Sequence, residues 1–221
     1  MSQLSETSGV PIASIKYYLR EGLLQPGERS SANQSDYGDE HVKRLRLIRA
    51  LIDVGGLSIA TARSVLAVID DPETPLGHVL GAAQHAVSNA STFEPVTEAT
   101  NGTRLVDAFI ESAGWIVASD NPGRMGAARV IDSYERIGQP ELAIIPEGYA
   151  RASELIARVD LDWVANSQGM SSKAETVIVG TVLGDALLAS LRRMAQENRS
   201  CEIFPNSPHK AVTEHTEKAR S

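Results

Sequence analysis

Apolar residues recur at three- and four-residue spacings along almost the whole chain, and sustained apolar/polar alternation is absent. The pattern predicts a short helix over residues 3–8, stopped by Gly9, and a second over 11–21, with Pro11 in its first turn and Gly22 at its end. Residues 25–38, QPGERSSANQSDYG, are rich in turn formers and have no apolar helical face. A third helix is expected over 39–54, with Val42, Leu45, Ile48, Leu51 and Ile52 as its stripe, Asp39 at its start and Gly55-Gly56 as its stop. Ser58 caps a fourth, which runs to Ile69 and ends at DDPETP. Further helices are expected near 75–89, 104–114, 122–137, 146–165 and 171–198, with Pro122 and Pro146 opening two of them. A polar connector fills 91–103, and the aperiodic tail after Phe204 is expected to be mobile.

The last helix stands apart. Val179, Leu183, Leu187, Leu191 and Met194 form one continuous stripe, and Ile178, Val182, Ala186 and Ala189 form a second beside it. Together they are too wide for contact with one side of a small domain, so two buried sides are expected. One would face the helix's own domain and the other a second copy of the chain, with Gly180 and Gly184 permitting close approach. The expected dimer contact is Val179, Gly180, Leu183, Gly184, Leu187 and Leu191. The alternative is a central core helix of a monomeric bundle.

Composition narrows the class. The chain is 42% hydrophobic and 22% charged, as in ordinary soluble domains. The most apolar run, TVIVGTVLGDALLASL, is broken by Asp185 and reads as too short and too polar-flanked to cross a bilayer. Without a signal-peptide pattern, the expected compartment is the cytoplasm, with no membrane partner. The single cysteine, Cys201, excludes an intrachain disulfide and a multi-cysteine zinc site. His78 and His85 lie seven residues apart on one expected helix face, without a third ligand nearby, so no metal and no cofactor are expected. The net charge of −7 hides an asymmetry: residues 1–70 hold eight basic and eight acidic residues, whereas 71–221 hold thirteen and twenty. Two functional halves are implied. No hydrolase elbow, phosphate loop or metalloprotease signature is present, so no enzyme is expected.

Residues 1–24 read as two short helices joined by a tight turn at SGVP. The second sets Ile12, Ile15 and Leu19 inward and Ser14, Lys16, Tyr17 and Arg20 outward. This is the organisation of a helix-turn-helix, whose second helix enters the major groove. A lysine there can donate to guanine edges, while tyrosine hydroxyls and arginines fix phosphates. The polar stretch that follows, with Arg29 at its head and Tyr37 at its end, could form a β-hairpin wing. Lys43, Arg44 and Arg46 on the third helix would extend the phosphate footprint.

The segments KYYLREGLL, DYGDEHVKRLRLI and GGLSI, in this order and spacing over residues 1–70, resemble the MerR family of transcriptional regulators. The resemblance implies that Tyr17, Tyr18 and Tyr37 contact the DNA backbone and that Lys16 reaches into the groove. It implies double-stranded promoter DNA as partner, with RNA polymerase at the same promoter, and distortion of an over-long promoter spacer. Departures from the family pattern are Lys16 in place of arginine, Asn33-Gln34-Ser35 in the wing, Ala13 at an often basic position, and one extra residue at Gly55-Gly56. The family's long coiled-coil helix and sensor cysteines have no counterpart after Asp71.

The expected fold is therefore mainly α. A winged helix-turn-helix occupies 1–70, a connecting helix and linker 71–103, and an all-α dimerisation and effector domain 104–204, followed by a mobile tail, 205–221. The candidate DNA contacts are Ser14, Lys16, Tyr17, Tyr18, Arg20, Arg29, Gln34, Tyr37, Lys43 and Arg44. Trp115 and Trp163 are candidates for lining an effector pocket. The expected function is a dimeric regulator bound to a pseudo-palindromic operator, with a small-molecule effector as a candidate input. The alternative is an architectural DNA-binding protein without an effector, whose C-terminal half serves only oligomerisation.

Overall fold

The computed structural model of the protein describes residues 1–31, 34–88 and 100–204. The expectations of a connector over most of 91–103 and of a mobile tail lie outside them. The chain is mainly helical, in the order α1 (Ser2–Ser8), α2 (Ile12–Arg20), β1 (Glu28–Ser31), β2 (Gln34–Asp36) and α3 (Asp39–Arg49). The π-helical turn Ala50–Val54 leads on to α4 (Ile59–Asp70), α5 (Leu76–Val87), α6 (Asn101–Ala113) and α7 (Pro122–Arg136). The 3-10 turn Pro140–Leu142 then precedes α8 (Glu147–Asn166) and α9 (Met170–Ile203). The two strands pair antiparallel, with Glu28 opposite Asp36 and Arg29 opposite Ser35.

Local chemistry accounts for the boundaries. Gly9 stops α1 in the left-handed region at φ 71°, where its N–H donates to the Ser5 carbonyl. The Ser5 hydroxyl donates to the Val10 carbonyl at 2.6 Å, so the SGVP turn is pinned from the preceding helix. Ser58 caps α4 by accepting the Thr61 N–H, and Thr100 does the same for α6 through Thr103. Asn121 caps α7 by accepting from Gly123 and Arg124, ahead of Pro122 at the first helical position.

By internal contacts the chain divides into Met1–Leu183 and Gly184–Ser221. The first unit holds two cores. The larger joins Leu4, Ile15, Leu23, Leu45, Ile48, Leu51 and Leu66 to Val79 and Ala83 of α5 and to Ala174, Val177, Ile178 and Val182 of α9. The beginning of α9 is thus packed with the N-terminal helices. The smaller core, between α6, α7 and the segment before α8, has four buried residues: Val106, Ala128, Ile131 and Ala143. The second unit takes in the rest of α9, to Ile203, where Leu187, Leu191 and Met194 are exposed.

Two structural findings correct the sequence reading. The run around TVIVGTVLGDALLASL is not short: α9 has 34 residues, and its stretch Ser172–Ile203 is long and apolar enough to cross a membrane by length and composition alone. What speaks against that use is the packing of Ala174, Val177, Ile178 and Val182 into the larger core. The expected α-helix over 39–54 is α-helical only to Arg49. Gly55 N–H then donates to the Ala50 carbonyl, five residues back, so the last turn widens. A π turn accommodates one additional residue in a helix, which fits the extra residue at Gly55-Gly56.

Glycine is required where α6 crosses α7. A Cβ on Gly102 would lie 2.0 Å from the Ala128 carbonyl oxygen, and the Gly102 N–H donates to Asp132 Oδ1 at 2.7 Å. At Gly55 a Cβ would lie 2.3 Å from Val182 Cγ1 and 2.7 Å from the Leu51 carbonyl. Gly102→Ala and Gly55→Ala are each expected to lower stability by about 1–3 kcal/mol through overpacking. Urea denaturation checks both, with Gly77→Ala, where a Cβ meets nothing within 4 Å, as the control.

Candidate nucleic-acid interface

The α2 helix is held by one face. Ile15 is fully buried and Tyr18 is only 7% exposed, while Lys16 and Arg20 are exposed and Ser14 and Tyr17 half-buried. The helix ends at Gly22, at φ 74°, and the Leu23 and Leu24 N–H groups fold back onto the Tyr18 carbonyl. Both leucines are buried, which fixes the roll of α2 on the core. Lys16 forms no hydrogen bond or ion pair with any described residue, so its ammonium is available to an outside acceptor. One turn on, the Arg20 guanidinium lies 5.2 Å from the Tyr17 ring centroid, and its closest acid, Glu21, is 3.8 Å away. Cation–π contact of this kind orders an arginine without neutralising it.

Tyr37 follows β2 and meets His41 edge to face at 5.1 Å, while the Gly38 N–H donates to His41 Nδ1 at 3.2 Å. A Cβ on Gly27 would be 2.3 Å from the Asp36 carbonyl and 3.0 Å from Tyr37 Cε1. Gly27 therefore lets the base of the strand pair close against Tyr37. The expected roles of Arg29 and Gln34 fall on side chains outside the description.

Two of the sequence candidates have other work. Tyr18 packs in the larger core, and burial pushes its phenol above the ordinary tyrosine value. Of the adjacent tyrosines, only Tyr17 reaches the outer face. Arg44 points inward, with a side chain 16% exposed. Its Nε donates to the Leu23 carbonyl at 2.9 Å, and its two terminal nitrogens donate to the Asp70 carboxylate at 2.8 and 2.6 Å. Elsewhere on α3, Lys43 pairs with Glu40 at 2.8 Å, both exposed, so an exchange for phosphate costs little. Arg46 donates to the Thr7 carbonyl at 3.4 Å from an exposed position. Ser14, Lys16, Tyr17, Arg20, Tyr37 and Lys43 remain as candidates with described side chains.

In the second half, Trp115 lines a cavity between α6, α7 and the start of α8, whereas Trp163 is 70% exposed and lies in a shallow groove between α8 and α9. The structure does not bring the two tryptophans together. Nor does it use the expected dimer stripe uniformly. Val179 and Gly180 line that same α8–α9 groove, Leu183 packs against the larger core, Gly184 is half-buried, and Leu187 and Leu191 are exposed. His78 and His85 are exposed on α5, and no group of three potential metal ligands occurs among the described residues.

Two short helices joined by a tight turn, with an exposed basic face on the second, define a helix-turn-helix protein. The family model for MerR HTH regulatory proteins matches residues 1–68. Those residues belong to that family. It is 35% identical over 71 residues to heavy metal-dependent transcription regulator 2 of Rhizobium meliloti, covering 32% of this chain and 48% of that one. It is 38% identical over 45 residues to the ZntR homolog of Haemophilus influenzae, covering 20% and 33%. The chain thus spans about half, or less, of these curated relatives. A longer likeness is to the crystal structure of SCO5550, a proposed transcriptional regulator from Streptomyces coelicolor A3(2). There the identity is 33% and the TM-score 0.64, over 92% of this chain and 96% of that one.

Removing the Arg44 guanidinium takes away three charge-assisted hydrogen bonds, two of them to a carboxylate. Arg44→Ala is expected to cost about 1.5–3 kcal/mol of stability, and Arg44→Lys to recover only part, since an ammonium lacks the planar fork. Guanidinium titrations monitored by circular dichroism read both.

Proposed function

We propose that the protein is a promoter-binding transcriptional regulator that acts as a homodimer. The carrying observation is Lys16: exposed on α2 and unpaired among the described residues, beside Tyr17 and Arg20, within the segment that matches the family model. In this reading α2 enters the major groove, with Lys16 directed at base edges and Ser14, Tyr17 and Arg20 at the flanking phosphates. The β1–β2 hairpin acts as the wing, with Arg29, Gln34 and Tyr37 over the adjacent backbone. Lys43 joins the phosphate set once Glu40 is displaced, and Arg44 and Tyr18 leave it for the reasons given above. The DNA is double-stranded promoter DNA, RNA polymerase binds the same promoter, and the compartment is the cytoplasm. No catalytic role is assigned.

The dimer contact is placed on the second half of α9. Leu187 is 61% exposed, Leu191 48% and Met194 59%, an apolar row that a monomer would leave in water. This narrows the original stripe, because Val179, Gly180 and Leu183 already serve the first unit. A small-molecule effector is part of the reading. The cavity beside Trp115 favours it over an architectural protein whose second half only oligomerises.

Lys16→Ala is expected to weaken operator binding by about 1–3 kcal/mol and to relax discrimination at one position per half-site. Gel-shift titrations against a randomised-site library read both quantities, and an unchanged affinity and preference would remove α2 from the groove. The two-fold dimer implies a pseudo-palindromic footprint, and protection of a single unrepeated half-site would reject it. Leu187→Asp combined with Leu191→Asp is expected to give a folded monomer by light scattering with weakened DNA binding. A folded double variant of unchanged mass would move the interface elsewhere.

A further inference from the structure

The cavity between α6, α7 and the start of α8 has a volume of about 620 Å³, within the roughly 300–1,000 Å³ of small-molecule sites. Val106, Ile110 and Ile131 form its base and belong to the smaller core. Four aromatic side chains line it: Phe109, Trp115, Tyr134 and Tyr149. Phe109 and Trp115 meet edge to face at 5.0 Å, and the Trp115 indole N–H donates to Glu154 Oε1 of α8 at 2.8 Å. These two contacts fix the side of the tryptophan that faces the cavity.

Its electrostatics select the class of occupant. The one cationic side chain in the wall, Arg124, is already neutralised: it pairs with Asp107 at 2.6 Å and donates to the Ser119 carbonyl at 3.0 Å. The one acidic residue in the wall, Glu141, is exposed to water. An ionic ligand would lose hydration with no unpaired buried counter-charge to replace it. Aromatic faces and edges reward flat, apolar rings instead. The Tyr134 hydroxyl forms no hydrogen bond with any described residue, so it offers one polar handle.

We propose that this cavity binds an uncharged, largely aromatic small molecule with at most one or two polar atoms. As an effector site, the proposal rests on the regulatory reading above. As a binding site it does not, and its test uses no DNA. The probe is N-phenyl-1-naphthylamine, neutral and fluorescent when buried. The protein is the full chain carrying Trp163→Phe, so that Trp115 is its only tryptophan. The expected result is saturable binding of one probe per chain, with quenching of Trp115 over the same titration. Ala127→Trp, which fills the cavity, and Val130→Asp, which puts a charge in its wall, are each expected to weaken binding at least tenfold while helicity is unchanged. The anionic probe 1-anilinonaphthalene-8-sulfonate is expected to bind at least tenfold more weakly. Equal binding by the folded variants, several probes per chain, no quenching of Trp115 or no saturation would each overturn the proposal. So would preferential binding of the anion. A fall in oligomeric mass on Val130→Asp would identify the hollow as a contact for a second copy and overturn it likewise. If both variants misfold, competition decides: naphthalene fails to displace the bound N-phenyl-1-naphthylamine only if the proposal is wrong. Probe binding in a protein that recognises no DNA would sink the regulatory reading and leave the site standing.

Discussion

The placement of the face proposed to meet DNA rests in large part on one half-buried guanidinium. Arg44 stands on α3, holds the carbonyl of Leu23 where the chain leaves α2, and grips Asp70 at the end of α4 with both terminal nitrogens. The Leu23 carbonyl would otherwise have its hydrogen-bonding capacity reduced next to two buried leucines, and a lone guanidinium at 16% exposure would be costly. Together they compensate each other in a geometry that only a planar fork can match. The consequence is positional. Arg44 thus links the chain just past α2 to α3 and to the end of α4, so the exit of α2 cannot shift without breaking the Arg44–Leu23 bond.

The same constraint shows where the sequence is legible. Helix periodicity and the glycine, proline and serine boundary signals locate α1 to α8 to within a few residues, because each rests on local chemistry: a left-handed glycine, a capping hydroxyl, a proline in a first turn. The ordered segments in residues 1–70 carry the family resemblance, since they encode a local turn and a helix face. Arg44 is different. In sequence it belongs to a basic row with Lys43 and Arg46, and only the distant Asp70, 26 residues on, decides that it faces inward. Tyr18 fails in the same way: two adjacent tyrosines look equivalent until the core claims one. A hydrophobic-to-polar pattern cannot distinguish a cation that meets phosphate from a cation that meets a carboxylate across a fold.

The last helix shows a further limit. Its two apolar stripes suggest two buried sides, but periodicity says nothing about where along the helix each side is used. Ala174, Val177, Ile178 and Val182 join the larger core, against a glycine at 55 that leaves no room for a Cβ. The apolar row from Leu187 onward is left to water. Division of labour along a helix, and not only around it, is what a one-dimensional reading misses. The cavity is illegible for a related reason. Its aromatic residues, Phe109, Trp115, Tyr134 and Tyr149, come from separate elements with no common spacing, and Trp163, equally conspicuous in sequence, has no part in it.

The cavity wall is also joined to the larger core by a short physical path. Asn121, which lines the cavity and caps α7, donates its side-chain amide to Gln84 Oε1 on α5 at 3.1 Å. On the same helix Val79, Ala83 and Ala86 are buried in the core that positions α2. A side chain that caps one helix while bonding another ties the start of α7 to α5. The smaller core, to which α7 contributes Ala128 and Ile131, has four buried residues. A ligand changes the DNA-binding half only by as much as it prefers one arrangement of this joint over another. In the proposed reading, an occupant of the cavity acts on the larger core through the Asn121–Gln84 contact.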